Sequence, residues 1–215
     1  MLKRFAMGLA VLLALGFAQA QPRAGVEYRE LATAQPADTA GKIEIIEFFS
    51  YLCPHCYSFE PLLDPWVTKL PKDAQFHRVP AMFSDDYARA ARAYYALEAI
   101  GEVQRLHRPL FDAVQGRARL KITDEAALSA WLGKQGVDTK KFAAAYRSFS
   151  VESRIKRAAQ LTQAYKIDAV PSMAVNGKYV VITGNIKSLE QLLGISDYLL
   201  ERSRKESGKA ALKQK

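Results

Sequence analysis

The chain has only two cysteines, Cys53 and Cys56, and they lie where a strand-like run turns into a helix-like run. The run before them, 42–49, is rich in β-branched and aromatic residues and predicts a buried strand. Pro54 directly follows Cys53 and suits the first position of a helix, where its missing N–H is not needed. We therefore expect a strand, a short turn and then a helix whose N-terminus carries Cys53.

This position gives the two cysteines different chemistry. A thiol at a helix N-terminus lies near free backbone N–H groups and the positive end of the helix dipole, and both favour the thiolate. Cys56 follows on the same helical face, within reach of Cys53 for a disulfide. His55, between them, adds a positive charge or a hydrogen bond beside the Cys53 sulfur. We expect Cys53 to be the exposed nucleophile, Cys56 the deeper resolving thiol, and their disulfide a strong oxidant.

Two structural explanations of the cysteine pair are weaker. A structural zinc site needs about four ligands, and of the three histidines in the chain, His77 and His107 fall on other predicted elements. We expect His77 to be an ordinary strand residue and His107 to lie on a helix surface. An inert disulfide across so short a gap would constrain the unfolded chain very little. We therefore predict a redox-active disulfide, with no metal and no other cofactor.

Residues 1–20 have the features of a cleaved export signal. A basic start at Lys3 and Arg4 is followed by an apolar stretch that is short for a membrane span, and 18–20 form an Ala-Gln-Ala cleavage site. The alternative is an uncleaved membrane anchor. We expect a mature chain that begins near Gln21 and lies in the periplasm, an oxidising compartment in which a disulfide persists.

The remaining pattern places an all-helical block between two α/β parts. Strand signals at 42–49 and 75–79 precede the block, and strand signals at 169–175 and 179–183 follow it. Asn176-Gly177 predicts a two-residue hairpin turn between the last two strands. The predicted organisation is a signal peptide at 1–20, a first α/β part at 21–84, a helical insertion at 85–165, a second α/β part at 166–203 and a basic tail at 204–215.

Helix ends and net charge complete this layout. Pro61 and Pro65 interrupt the first helical pattern, so we expect a kink or a break near Glu60. The last helix opens with a capping box at 188–191 and is expected to end near Ser203, which leaves a solvated basic tail. The formal net charge is +9, but an exported chain without a recognition motif is not expected to bind nucleic acid.

The motif and the layout together resemble the DsbA family of periplasmic disulfide oxidoreductases, which carry Cys-Pro-His-Cys within a thioredoxin fold. The sharpest matches are 47–57 and 169–179. The resemblance implies an α/β, thioredoxin-like fold with an inserted all-helical domain, and an oxidase that donates its disulfide to exported, unfolded proteins. A DsbB-like inner-membrane quinone reductase would reoxidise it. The alternatives are a reductase or isomerase with the same chemistry and a non-catalytic chaperone; we expect a monomer.

The resemblance also implies a substrate-binding surface around the cysteines. Val170-Pro171 falls at the loop that faces the cysteines in thioredoxin-like folds. We predict a cis peptide bond there and main-chain contacts from Val170 to an extended substrate. Tyr51 and Leu52 are expected to form an apolar surface that contacts the same substrate.

Glu47 is a charged residue inside an apolar strand. The resemblance maps it onto a buried acid beneath the active site, which could exchange a proton with Cys56. The alternative is a side chain that faces an edge of the sheet, as we expect for Glu44. Some family members pair the buried acid with a lysine on the second strand, but 75–79 contains none. The partner of Glu47 is therefore left open by the sequence.

Overall fold

The computed structural model describes residues 21–37, 39 and 41–213, so the predicted signal peptide at 1–20 lies outside the described residues. The strands are β1 (Tyr28–Glu30), β2 (Ile43–Phe49), β3 (Ala74–Pro80), β4 (Ser172–Val175) and β5 (Tyr179–Val181). The helices are α1 (Pro54–Thr68), α2 (Asp85–Ala99), α3 (Val103–Gln115), α4 (Glu125–Lys134), α5 (Thr139–Tyr146), α6 (Phe149–Ala164) and α7 (Leu189–Lys213). Within the described ranges, no helix combines the length and the apolar character needed to cross a bilayer.

The five strands form one mixed sheet in the order β1-β5-β4-β2-β3. The central strand β2 pairs in parallel with β3 and antiparallel with β4. Every residue of β2 is buried, which explains why its sequence is almost continuously apolar. The block α2–α6 lies between β3 and β4 in the chain. The central strand therefore leads directly from the core of the sheet into the cysteine motif.

Alternate side chains of β2 enter two separate cores, as the period of a strand requires. Ile43 and Ile45 join a cluster with residues of α1 and α7 on one side of the sheet. Ile46 and Phe48 join a larger cluster with the helical insertion on the other side. The strand that carries the motif is thus fixed on both faces, which gives the active site a rigid base.

The hairpin predicted at Asn176-Gly177 is present, but three residues rather than two separate the paired residues Val175 and Tyr179. The φ angles are 57° at Asn176 and 65° at Gly177, and positive φ at both central residues defines the type I′ turn. A Cβ atom at Gly177 would lie 2.0 Å from the backbone oxygen of Gln35. Glycine is therefore required here both by the turn and by the chain segment that passes over it.

Of the kink or break predicted near Glu60, a break is wrong, because α1 is one helix that contains both Pro61 and Pro65. Each proline removes one N–H from the hydrogen-bond ladder of the helix. One face of α1, with Phe59 fully buried, packs into the core beside α7. This burial offsets the missing hydrogen bonds and keeps the helix continuous.

The last helix also differs from its prediction, because α7 continues beyond Ser203 to Lys213. Arg204, expected in a solvated tail, donates two hydrogen bonds to the carboxylate of Asp73, at 2.7 and 2.6 Å. Asp73 immediately precedes β3. The helix is extended because this contact with a distant part of the chain holds its polar continuation in place.

Candidate active site

Cys53 is the N-cap residue of α1, and Pro54 occupies the first helical turn. The sulfur of Cys53 accepts a hydrogen bond from the backbone N–H of Cys56 at 3.4 Å. As a thiol it donates to the carbonyl oxygen of Val170 at 3.2 Å. Both cysteines are free thiols, so the structure represents the reduced pair. The strand, turn and helix expected around the motif are therefore present.

The two thiols differ in environment. Cys53 is 6% exposed and Cys56 is 0% exposed, so Cys53 is more enclosed than the exposed nucleophile we expected. The pKa of Cys53 is lowered to about 6, chiefly by the hydrogen bond from the Cys56 thiol, with smaller contributions from backbone N–H groups and the His55 charge. Burial raises the pKa of Cys56 well above its usual range. The pKa of Cys53 is therefore set mainly by hydrogen bonds, which lower it more than burial raises it. The pKa of Cys56 is set mainly by burial, which raises it.

The loop at Val170-Pro171 lies against Cys53, and its peptide bond is cis, as predicted. The carbonyl oxygen of Pro171 accepts a hydrogen bond from the hydroxyl of Thr183, which ties the loop to the turn after β5. A groove of about 410 Å³ runs along this loop. Its lining includes His55, Val170, Pro171, Ile186 and Leu189. A mainly apolar surface therefore begins at the motif itself.

Two residues near the motif, Tyr51 and His107, are buried although the sequence predicted exposed positions for them. Tyr51 is buried rather than part of a substrate surface, and its hydroxyl pairs with Nδ1 of His107 at 2.7 Å. His107 is likewise buried, not on a helix surface. The rings of Phe49 and Phe111 pack against both residues. This aromatic cluster is assembled from distant segments, so neither burial follows from local sequence.

Leu52 has a different environment from its neighbour. It is half-buried and packs against the larger core. Part of its side chain therefore remains available beside Cys53, and its predicted contact with substrate stays a prediction.

Glu47 is fully buried, as the resemblance implied, and its partner is Arg78. The two residues are neighbours in the parallel register of β2 and β3, and Arg78 Nε donates to Glu47 Oε2 at 3.0 Å. Arg78 also donates to Glu60 at 3.1 Å and to Asp64 at 3.0 Å, both on α1. Burial raises the pKa of Glu47 despite the Arg78 charge. A carboxyl with a raised pKa can hold or release a proton in a site closed to water.

The sequence analysis missed the polar groups that complete this network. The search for a lysine passed over Arg78, although a parallel register of the two strands would have placed it beside Glu47. Glu60 follows Cys56 by one helical turn and shares its buried face. That spacing could have identified Glu60, but the expectation of a kink or a break at the same residue argued against a continuous buried face.

Glu44 is also buried, contrary to the expectation of an edge-facing side chain. Its Oε1 lies 3.6 Å from Nε2 of His77, which is on β3 as predicted. The helical insertion covers this side of the sheet, so an edge-like position is enclosed. In the part of the chain that the structure describes, no three His, Cys, Asp or Glu side chains are placed to share a metal ion.

Comparison with known proteins follows this geometry. A family model described as a DSBA-like thioredoxin domain matches residues 64–194. A relative named thiol:disulfide interchange protein DsbA, from Pseudomonas aeruginosa, is 38% identical over 84% of this chain and 85% of its own. Another relative with that name, from Azotobacter vinelandii, is 41% identical over 84% of each chain.

Solved structures agree with the sequence relatives. The crystal structure of Pseudomonas aeruginosa DsbA has a TM-score of 0.83 and 37% identity, and the match covers 87% of this chain and 97% of that one. DsbA from Xylella fastidiosa has a TM-score of 0.80 and 33% identity, covering 85% and 98%. The thioredoxin-like fold with a helical insertion is thereby confirmed. The chain belongs to the DsbA family and is a thiol:disulfide oxidoreductase.

Proposed function

We propose that this oxidoreductase works as an oxidase, which donates the Cys53–Cys56 disulfide to unfolded, exported proteins in the periplasm. The observation that carries the proposal is the position of the two sulfurs: Cys53 caps the N-terminus of α1 and accepts a hydrogen bond there, whereas Cys56 is fully buried. The pKa values of the two thiols shift in opposite directions accordingly. A stabilised Cys53 thiolate lowers the free energy of the reduced pair. Because the reduced pair is favoured, the disulfide is readily given away.

The reaction consists of two thiol–disulfide exchanges. A substrate thiolate attacks the sulfur of Cys53, a bond forms between them, and the bond to Cys56 breaks. The second substrate thiolate then attacks the substrate sulfur of the mixed disulfide, and Cys53 leaves as a thiolate. Two electrons pass from the substrate dithiol to the enzyme, and the substrate gains a disulfide. Cys53 suits the leaving role because a thiol of low pKa leaves faster.

Glu47 has a role in the first exchange. Cys56 leaves as a thiolate in a site with no exposed surface, and its raised pKa means that it takes up a proton there. The Oε1 atom of Glu47 has no hydrogen-bond partner among the described residues. A carboxyl whose pKa is raised by burial is suited to supply that proton and to recover it during reoxidation.

The groove beside Val170 and Pro171 is the proposed binding surface for an extended substrate segment. We expect Ile186→Asp to lower kcat/KM for a reduced peptide about tenfold, because an apolar contact worth about 1.4 kcal/mol is lost. The rate of reaction with dithiothreitol, which has no peptide segment to place along the groove, should stay unchanged. Stopped-flow kinetics with both reductants would measure the two rates. A suitable control is Phe149→Asp, at an exposed apolar residue of α6 outside the groove lining; equal losses in both variants would contradict the groove assignment.

Export and reoxidation complete the proposal. Family membership and the signal-like features of 1–20 support a mature periplasmic chain that begins near Gln21. The reduced enzyme is then reoxidised by a DsbB-like membrane quinone reductase, which passes the two electrons onward.

The decisive test uses protein that lacks 1–20. In glutathione buffers, the wild-type pair should remain reduced even in oxidising mixtures. Cys53→Ser should abolish oxidation of a reduced peptide. In Cys56→Ser, the Cys53 thiolate should attack the disulfide of an oxidised peptide, release one peptide thiolate and remain trapped as a mixed disulfide. A wild-type disulfide that resists strongly reducing mixtures would refute the oxidase proposal.

A further inference from the structure

One face of α3, in the helical insertion, contacts the residues on both sides of the cysteine motif. Tyr51 lies just before the motif and Tyr57 just after it. The side chains of α3 that reach them recur at helical spacing, so they share a face. They are His107, Arg108, Phe111, Asp112 and Gln115. The motif is therefore bracketed by a single helix that lies outside the strand and helix that carry it.

Tyr51 is held at both its side chain and its backbone. Its hydroxyl pairs with Nδ1 of His107 at 2.7 Å, and its carbonyl oxygen accepts a hydrogen bond from Nε2 of Gln115, also at 2.7 Å. Its ring centroid lies 4.7 Å from that of Phe111. Three contacts from one helix thus determine where the turn before Cys53 can lie.

Tyr57 is held from the same helix. Its hydroxyl donates to Oδ1 of Asp112 at 2.9 Å. The guanidinium of Arg108 lies 4.6 Å from its ring centroid, within the range of a cation–π contact, and pairs with Asp112 at 3.3 Å. The first turn of α1 is therefore attached to α3 immediately after Cys56.

These attachments matter because the sulfur of Cys53 depends on the position of the turn. The backbone N–H of Cys53 bonds to the carbonyl of Ser50 at 3.0 Å, so the residue follows any movement of the segment that contains Tyr51. Its sulfur accepts a hydrogen bond from the backbone nitrogen of Cys56 at 3.4 Å. Hydrogen bonds weaken steeply as distance and angle depart from the optimum. A small displacement of the turn would therefore weaken the contacts that favour the thiolate.

We propose that α3 sets the redox equilibrium of the Cys53–Cys56 pair by holding Tyr51 and Tyr57, with Gln115 as the main positioning residue. The inference rests on the proposed oxidase function and deepens it. It gives the helical insertion a part in tuning the active site besides covering it. Gln115 touches no reacting atom and acts only through the backbone of Tyr51.

The test replaces Gln115 with methionine, which keeps the length of the side chain and removes its N–H donor. We expect the pKa of Cys53, followed by thiolate absorbance against pH, to rise by about half a unit to one unit. The glutathione ratio at half-oxidation should move about three- to tenfold toward the reducing side, since one pKa unit corresponds to a factor of ten. Tyr57→Phe, which removes only a hydroxyl, should shift both quantities in the same direction by less.

The matched control is Gln104→Met, an exposed glutamine on the same helix. If the role of Gln115 is merely structural, Gln115→Met would lower the Tm of the reduced and oxidised forms equally. The pKa of Cys53 and the redox equilibrium with glutathione would then match those of the control, and this result would overturn the inference. Failure of the oxidase proposal would be visible separately, as a wild-type pair that stays oxidised in reducing buffers. The shift of Cys53 pKa in Gln115→Met would still test the inference in that case.

Discussion

At the residue scale, the two thiols have the same chemistry but different pKa values, because a different physical effect dominates at each. Charge-assisted hydrogen bonds contribute about 1.5–3 kcal/mol each, and Cys53, at the helix N-terminus, receives more than one. Cys56, one turn further along, is enclosed, so the cost of placing a charge there dominates. The asymmetry comes from where each sulfur lies on one helix.

The lowered pKa of Cys53 predicts a pH-dependent stability of the reduced protein. The thiol has a pKa of about 8.5 in the unfolded chain and about 6 in the fold. The stabilisation is therefore complete above about pH 8.5, declines as the pH falls, and is lost below about pH 6. We expect the Tm difference between the reduced wild type and Cys53→Ser to follow that course in calorimetry. A Tm difference independent of pH would show that the thiolate does not stabilise the fold.

At the element scale, β3 and α1 are joined by one partly buried cation. Arg78 on β3 serves Glu47 on the adjacent strand and both Glu60 and Asp64 on α1. Its guanidinium has several donors in a planar fork, which suits it to bridge carboxylates in different directions. An acid beneath the cysteines is thereby tolerated in the core, because its charge is partly compensated.

Removing this cation should be costly. We expect Arg78→Met to lower the free energy of unfolding by about 3–5 kcal/mol at pH 8, since two fully buried carboxylates lose their shared partner. The loss should shrink toward pH 5, because the carboxyl of Glu47, whose pKa burial raises to about 8, is then protonated and carries no charge. Urea unfolding at both pH values would measure it.

Arg89→Met is the control for that experiment, because Arg89 pairs with Asp86 on the exposed surface of α2. Its effect should stay below about 1 kcal/mol. Similar losses of unfolding free energy in the two variants would mean that the Arg78 network stabilises the fold no more than an exposed ion pair does.

At the scale of the whole molecule, α7 connects both edges of the sheet. Arg204 reaches Asp73 just before β3 at one edge. At the other edge, Arg202 of α7 donates to the hydroxyl of Tyr28 on β1. Glu206 accepts hydrogen bonds from Tyr179 of the adjacent β5 at 2.6 Å and from Lys178 at 3.1 Å. The helix therefore ties together both edges of the sheet on which the cysteine motif and its facing loop depend.

We expect Glu206→Gln to lower the free energy of unfolding by about 1–2 kcal/mol, because the carboxylate serves Tyr179, Lys178 and Arg202 together. The control Glu201→Gln alters an exposed residue of the same helix that pairs within the helix with Arg204, and should cost less than about 0.5 kcal/mol. Chemical denaturation measures both. Equal effects would contradict a specific role for Glu206 at the sheet edge.

Several features follow from the amino-acid sequence because their causes are local. Residues close together in the chain determine four of these features: the buried strand, Pro54 after Cys53, the Asn176-Gly177 turn and the helical block. Each depends on backbone preference, side-chain periodicity or the chemistry of a helix end. The redox motif belongs to this group, since its helix N-terminus and its spacing are both short-range properties.

Other features depend on partners far away in the chain. Tyr51 and His107 are buried because an aromatic cluster brings α3 against the motif. Arg78 meets Glu47 through strand register. The helix α7 extends past Ser203 because Arg204 contacts Asp73 and Glu206 contacts Tyr179. The sequence by itself determined the chemistry of the cysteine pair. Tertiary packing decided which residues enclose and position it, because burial and long-range pairing exist only once the chain has folded.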